Sequence, residues 1–255
     1  MRPRDSLLAR GLEPLAAGMW TLFVLVSLLV AAVWVLGLGE ASLRAVSSAD
    51  LRATLVWLLA HIDLFWIALA AINAYLSLAA DAGLATARRW ALLILGAVIA
   101  MAWVSVAAGV PLGRIRYGSA LGLKLGPVPL GLPLFWFSVI IGAREALLRF
   151  FPRLGHAPVA AGVGLLALFT DLNLEPLATK LHGFWFWLPT APTLPPVFDP
   201  PFTGNIAWGM LAGLLALFLR ERDVAASARP RLWRPAATLA IFHTVFLATH
   251  AAHRL

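Results

Sequence analysis

Two carboxylic acids lie four residues apart near the end of an apolar stretch in which charged side chains are otherwise rare. They are Asp171 and Glu175, and the spacing i, i+4 places both on one face of a helix. Carboxylates in a membrane segment are costly, so they usually face a cavity or a partner and mark a functional site. A carboxylic acid kept uncharged by apolar surroundings can donate a proton. The alternative is a helix-end pair near the membrane interface, salt-bridged to Lys180 or Arg114.

Aromatic and amide side chains follow the two acids. Trp185, Trp187 and Trp208 could form a wall around a long apolar substrate, and the π faces of such rings stabilise a carbocation. The alternative is an aromatic belt at the membrane interface. Asn205 lies where a proline-rich loop becomes a helix, and it is either a helix cap or an amide that orients a ligand or water.

The histidines give weaker signals. His61 and Asp63 are two residues apart and point to different helix faces, so they do not predict a metal site. His243 and His250 are seven residues apart and share a face. This arrangement is compatible with metal or haem binding, but it is more typical of hydrogen bonds between membrane helices.

The composition is that of an integral membrane protein. Of 255 residues, 61% are hydrophobic and 13% are charged, whereas a soluble domain carries roughly a quarter charged residues. The chain has no cysteine, which excludes disulfides, thiolate nucleophiles and cysteine-ligated metals. The net charge of +8 is better explained by arginines that set membrane topology than by nucleic-acid binding. We predict a single transmembrane helical domain over residues 1–255.

Seven apolar segments predict an all-α, polytopic membrane protein with about seven transmembrane helices. The segments are Ala16–Leu38, Leu55–Ala79, Trp90–Ala108, Leu130–Leu148, Ala157–Leu174 with a continuation to Leu181, Ile206–Leu219 and Ala236–Ala251. The sixth is short, and His243 interrupts the seventh.

The distribution of Lys and Arg predicts a cytoplasmic N-terminus and an external C-terminus in the inner membrane of a bacterium. In this orientation 13 of the 20 basic residues are cytoplasmic. The loops after the third and fifth spans then share the outer side. The first of them, Gly109–Trp136, is rich in glycine and proline, and we expect it to fold back as a re-entrant loop. Two irregular, aromatic and polar loops on one side indicate the mouth of a cavity.

Two blocks of this sequence carry spaced motifs. The first begins at Gly109 and reads G-x-P-x-G-x-x-x-Y-x-x-x-L-G-x-x-L-G-x-V-P-L, followed by Pro133-Leu134-x-Trp136. The second comprises Asp171-x-x-x-Glu175-Pro176, Gly183-x-Trp185-x-Trp187 and Pro201-x-x-x-Asn205-x-x-Trp208. Together they resemble the carotenoid-biosynthesis membrane family that includes the CruF-type carotenoid 1,2-hydratases, called bisanhydrobacterioruberin hydratases in haloarchaea. The signature region covers about residues 103–208. The sequence departs from the pattern at Leu112 and Glu175, and the acidic residue expected shortly before the first block is absent from Trp103–Ala108.

The resemblance implies a hydro-lyase that adds water to the C1=C2 double bond of an acyclic carotenoid end group to give a tertiary alcohol. Asp171 would be the proton donor or its partner, and Glu175 would share the proton or hold the water. Tyr117 and Asn205 would orient the water, while Trp185 and Trp187 would line the end-group pocket with Trp208 nearby.

The resemblance also implies the partners. The substrate would be a lycopene- or γ-carotene-like carotenoid, and the protein would work among membrane lipids and with other carotenoid-pathway enzymes. No metal, nicotinamide or flavin cofactor is needed, and no nucleic acid is involved.

Two other functions fit parts of the sequence. One is a membrane prenyl transferase, which would use aspartate-rich motifs and magnesium to hold a diphosphate, whereas this chain has one acidic pair. The other is a non-catalytic carotenoid- or lipid-binding or transport protein whose polar residues line a passage.

Overall fold

The long apolar segments form helices in the computed structural model, which describes residues 3–188, 202–219 and 233–254. In a membrane the backbone N–H and C=O groups of a helix form hydrogen bonds with each other, because the lipid tails offer no hydrogen-bond partners. Within these described ranges, six helices are long and apolar enough to span a membrane, and a seventh apolar helix is shorter. The predicted all-α polytopic class is therefore confirmed. The helices are α1 Pro3–Leu36, α2 Leu38–Ala45, α3 Ala49–Ala82, α4 Leu84–Ala108, α5 Gly131–Phe150, α6 His156–Pro176, α7 Phe202–Phe218 and α8 Arg234–His253.

The first predicted span ends earlier than expected. Its helix breaks at Gly37, whose φ of 63° lies in the left-handed region that glycine adopts readily. The chain then turns into α2, a short helix that the hydrophobic pattern did not predict. Ser48 follows, and its hydroxyl accepts a hydrogen bond from the Leu51 backbone N–H to cap α3.

Helix α5 is the centre of the bundle. Of its most apolar stretch, 78% is buried inside the protein, compared with 22% for α1. It contacts α3, α4, α6, α7 and α8, and the buried apolar side chains of these helices and of α1 form one continuous cluster. Trp136 of α5 stacks on Trp208 of α7 with ring centroids 4.5 Å apart.

Helices α6 and α7 approach closely because small residues line their contact. A Cβ atom on Gly164 would lie 2.8 Å from the carbonyl oxygen of Gly209 and 3.4 Å from the Cα of Gly213. Gly209 and Gly213 are four residues apart, the spacing that lets membrane helices pack backbone to backbone. This crossing sets the position of the N-terminal turn of α7 against the last turns of α6.

The glycine- and proline-rich loop before α5 contains three short strands. They are β1 Ile115–Tyr117, β2 Lys124–Leu125 and β3 Val128–Pro129; the fourth strand, β4 Trp185–Trp187, follows α6. β2 pairs with β3, whereas β1 pairs antiparallel with β4. The described parts of the two irregular loops therefore meet at one end of the bundle, as their predicted shared side requires; the proline-rich residues 189–201 of the second loop lie outside the described residues. Whether the first loop re-enters the lipid stays a prediction.

We expect Gly164→Val to destabilise the protein by about 1–3 kcal/mol, because the added atoms collide with the α7 backbone. The matched control is Gly96→Val on α4, where a Cβ would meet nothing within 4 Å. The measurement is the fraction of detergent-purified protein that remains monodisperse after heating. Equal losses for the two variants would contradict the close crossing.

Candidate functional site

The acids predicted to be functional lie in the last two turns of α6. Asp171 is 2% exposed and Glu175 is 7% exposed. Pro176 follows, and its ring nitrogen has no hydrogen to donate to the helix. The chain continues in one π-helical turn, Leu177–Leu181. Gly183, with a φ of 60°, then turns the chain into β4.

Glu175 is held by two tryptophans. Its Oε2 accepts a hydrogen bond from the indole N–H of Trp185 at 3.0 Å, and its Oε1 accepts one from Trp187 at 2.5 Å. The two donors are alternate residues of β4, so they project from the same side of the strand. In the described part of the chain neither Lys180 nor Arg114 forms an ion pair with this carboxylate.

A contact between the two loops fixes this arrangement. Tyr117 of β1 lies opposite Trp185 of β4. Immediately after it, the backbone N–H of Gly118 donates to the carbonyl of Phe184 at 2.8 Å. A Cβ on Gly118 would lie 2.1 Å from the carbonyl oxygen of Gly183, so only glycine permits this approach.

Asp171, Tyr117 and Asn205 share an unusual property. Asp171 Oδ1, the Tyr117 hydroxyl and Asn205 Oδ1 are all buried, and none of them forms a hydrogen bond with a described residue. Burial raises the pKa of Tyr117 above its usual value, and the nearby Asp171 carboxyl adds to the effect. Gly209 of α7 lies against Leu168 of α6. The two helices run antiparallel, so one helical turn further along this contact Asn205 lies level with Asp171. Buried polar groups without protein partners usually bind water or a ligand.

The tryptophans divide into two environments. Trp185 is buried and Trp187 is half-buried, and both contact Glu175. Trp208 is buried against Trp136 of the central helix. The structure therefore places Trp185 and Trp187 at Glu175, whereas Trp208 packs against Trp136 in the core.

A further carboxyl, Asp63 of α3, faces a narrow cavity that the sequence analysis did not identify. The free volume at its centre is about 20 Å³. Asp63 is the one ionisable side chain among the described residues that line it. The aromatic lining is Trp34, Trp66, Phe135, Phe184, Trp185 and Phe246, and the aliphatic lining is Ile67, Leu121, Leu132 and Leu174. Trp185 belongs both to this cavity and to the Glu175 site.

Asp63 has two neighbours with polar hydrogens. The indole N–H of Trp34 donates to Oδ1 at 3.0 Å, and Nδ1 of His182 lies 3.7 Å from Oδ2. The His182 ring lies against Trp34 with centroids 4.0 Å apart. Burial lowers the pKa of His182 to about 4, and the neighbouring His253 adds to the effect. His182 is therefore neutral near pH 7.

The sequence contained a signal for Asp63. It is an acid within a long apolar run, which is the same feature that singled out Asp171. Its spacing from His61 argues against a metal pair and gives no other role for this acid. The prediction that the histidines of the last helix bond to other helices is confirmed. His243 Nε2 lies 3.2 Å from the Thr170 hydroxyl, and His250 Nε2 lies 2.7 Å from the Asn173 carbonyl.

This arrangement suits acid chemistry on an apolar molecule. Aromatic faces line the cavity, and aromatic faces stabilise positive charge. Carboxyl groups lie in three different settings: held by indoles, beside a tyrosine, and facing the cavity. Such differences are what separates a proton donor from a proton acceptor.

Comparisons with known proteins point to one family. A model of the family described as carotenoid biosynthesis protein matches residues 59–254. The bisanhydrobacterioruberin hydratase of Haloarcula japonica is 33% identical to this chain over 122 residues, which cover 46% of this chain and 38% of that protein. The match thus spans less than two-fifths of the relative's length. No solved structure matches.

We expect the stability of the protein to fall as the pH drops from about 7.5 to about 5. His182 is neutral when folded because its pKa is about 4, whereas in the unfolded chain it takes up a proton below its usual value of 6.5. The unfolded state then binds more protons, so acid favours unfolding. In His182→Phe, which keeps a ring against Trp34, the decline should be smaller. Melting temperatures in detergent at the two pH values measure this, and equal declines would contradict it.

Proposed function

Because the chain belongs to the carotenoid biosynthesis protein family, we propose that it modifies a carotenoid within the membrane and that it is a carotenoid hydratase. The reaction adds water to the C1=C2 double bond of an acyclic end group. A proton adds to C2, the less substituted carbon, and leaves a tertiary cation at C1. The oxygen of water then bonds to C1 and loses a proton, which gives a tertiary alcohol. The name of the Haloarcula japonica relative supports this reaction.

The observation that carries the proposal is the group of unpartnered polar atoms around Asp171. Asp171 Oδ1, the Tyr117 hydroxyl and Asn205 Oδ1 supply both donors and acceptors in buried surroundings. A water molecule that must attack a cation needs such partners to hold and orient it. In this proposal Asp171 takes part in proton transfer, while Tyr117 and Asn205 orient the water.

Glu175 has a different role in the proposal. Both of its oxygens already accept hydrogen bonds from indoles, and an acceptor occupied in this way is poorly placed to give a proton. We assign it the positioning of Trp185 and Trp187. Those rings would contact the carotenoid end group, and Trp208 would support them from the core.

The wider setting is part of the proposal. We expect a lycopene- or γ-carotene-like substrate delivered from the lipid by other enzymes of the carotenoid pathway. The protein would lie in a bacterial inner membrane as one helical domain, with its N-terminus cytoplasmic and its C-terminus outside. The end of the bundle that carries β1 and β4 would then face outward.

We expect lycopene-producing bacteria that express this chain to accumulate a carotenoid heavier by one water. Asp171→Asn should lower its yield by about 10²-fold or more, the usual contribution of a proton-transferring group. Glu175→Gln should also lower the yield, because an amide cannot accept from both indoles through two oxygens. Liquid chromatography with mass spectrometry measures the product, and immunoblotting of membranes checks insertion.

Asp50→Asn is the matched control, since Asp50 is an exposed acid in the first turn of α3. It should leave the yield unchanged. Undiminished product from Asp171→Asn would remove that acid from the mechanism. Unchanged lycopene and monocyclic γ-carotene in cells that contain the inserted protein would favour a carotenoid-binding protein instead.

A further inference from the structure

Asp63 is a buried carboxyl outside the α6 site, and the hydration steps proposed above do not use it or the cavity that it faces. We propose that this cavity receives the tip of the carotenoid chain and that Asp63 is the acid that protonates C2 there. The inference rests on the proposed hydration and assigns its proton donor. Asp171 then has the complementary role of taking the proton from the attacking water.

The lining of the cavity fits the end of an isoprenoid chain. Apart from Asp63, its described walls are aromatic or aliphatic. An apolar hollow of this kind stays dry and binds apolar groups. Its free volume of about 20 Å³ is small, so it can admit the narrow end of a chain but not a whole ring.

The surroundings of Asp63 favour the protonated acid. Oδ1 is fixed by the indole of Trp34, whereas Oδ2 lies 3.7 Å from His182, beyond normal hydrogen-bond distance. His182 is neutral, since burial lowers its pKa to about 4. No cation in the described part of the chain therefore pairs with this carboxyl. Apolar surroundings disfavour an unpaired charge, so Oδ2 is suited to carry a proton.

The aromatic rings are placed to stabilise what protonation creates. Transfer of the Asp63 proton to C2 uses the π electrons of the double bond and leaves the positive charge at C1. Trp34, Trp66 and Trp185 belong to the wall around that position, and their π faces attract a cation. The Asp63 carboxylate left behind adds a negative charge opposite the cation.

The two sites adjoin through the wall of the cavity. Leu174 and Trp185 line the cavity, while the neighbouring Glu175 and Asp171 lie on the same helix, α6. Tyr117 pairs with Trp185 across the strands. A water held by Asp171, Tyr117 and Asn205 would attack C1 and give its proton to Asp171. Asp63 ends deprotonated and Asp171 protonated, and one proton returns from Asp171 to Asp63 through solvent between turnovers.

Deuterium incorporation distinguishes the roles proposed for Asp63 and Asp171. The purified protein is placed in lipid vesicles with lycopene in heavy water, and both the alcohol and the recovered lycopene are analysed by mass spectrometry. The wild type should place one deuterium at C2 of the alcohol. Asp171→Asn should make little alcohol but exchange deuterium into lycopene, because protonation by Asp63 is reversible. Asp63→Asn, whose amide oxygen still accepts from Trp34, should lose about 10²-fold or more of both signals, while Asp50→Asn matches the wild type.

A second pair of variants tests the cavity without touching the acid. Ile67 lines the cavity, whereas Ile72 on the same helix is 42% exposed. Ile67→Phe should fill the cavity and reduce the lycopene retained by the purified protein several-fold, and Ile72→Phe should retain it. Equal retention by the two variants would overturn the placement of the chain tip.

The outcomes distinguish this inference from the proposed function. If the wild type and Asp63→Asn both make the deuterated alcohol, hydration stands and Asp63 is not the donor. If the wild type makes no alcohol and exchanges no deuterium, the hydratase proposal fails and Asp63 loses its assigned role with it.

Discussion

The site depends on the two hydrogen bonds that Trp185 and Trp187 donate to Glu175. They fix β4 against the end of α6, and β4 in turn fixes β1 and Tyr117. Trp185 is also a wall of the aromatic cavity. Loss of either indole would leave a buried carboxylate oxygen without a donor, which is more unfavourable than the loss of an exposed contact. One acid thus positions the aromatic wall and the strand pair at the same time.

Three buried acids lie at one end of the bundle, and identical surroundings would give them identical chemical behaviour. Glu175 is satisfied by indole donors, Asp171 lies beside a tyrosine with one oxygen unpartnered, and Asp63 faces an aromatic hollow. Differences of this kind allow identical chemical groups to act as acid, base and scaffold. The proposed hydration of an apolar alkene calls for that division of roles, since water and carbocation would have to meet within a largely dry interior.

The helices could be predicted because each needs about twenty apolar residues in a row. The i, i+4 spacing of Asp171 and Glu175 also predicted their shared face. The β1–β4 pair could not be predicted, because strands of three residues have no measurable periodicity and two helices separate them along the chain. The surroundings of Asp63 could not be predicted for a related reason: a helical pattern shows which face a residue occupies but not which rings from other helices surround it.

The pairing of β1 with β4 has a consequence for biogenesis. β1 is synthesised before α5 and α6, and its partner strand emerges only after both. Contacts between distant parts of a chain form late, because the intervening segment must first be ordered. Until β4 is made, Tyr117 and the backbone of β1 lack the residues with which they pair. Helices α1 to α6 can therefore be inserted before the pocket exists, because the pocket also needs β4 and Phe246 of α8, which are made later. Defects in the C-terminal part of the chain would then leave an inserted protein without its pocket.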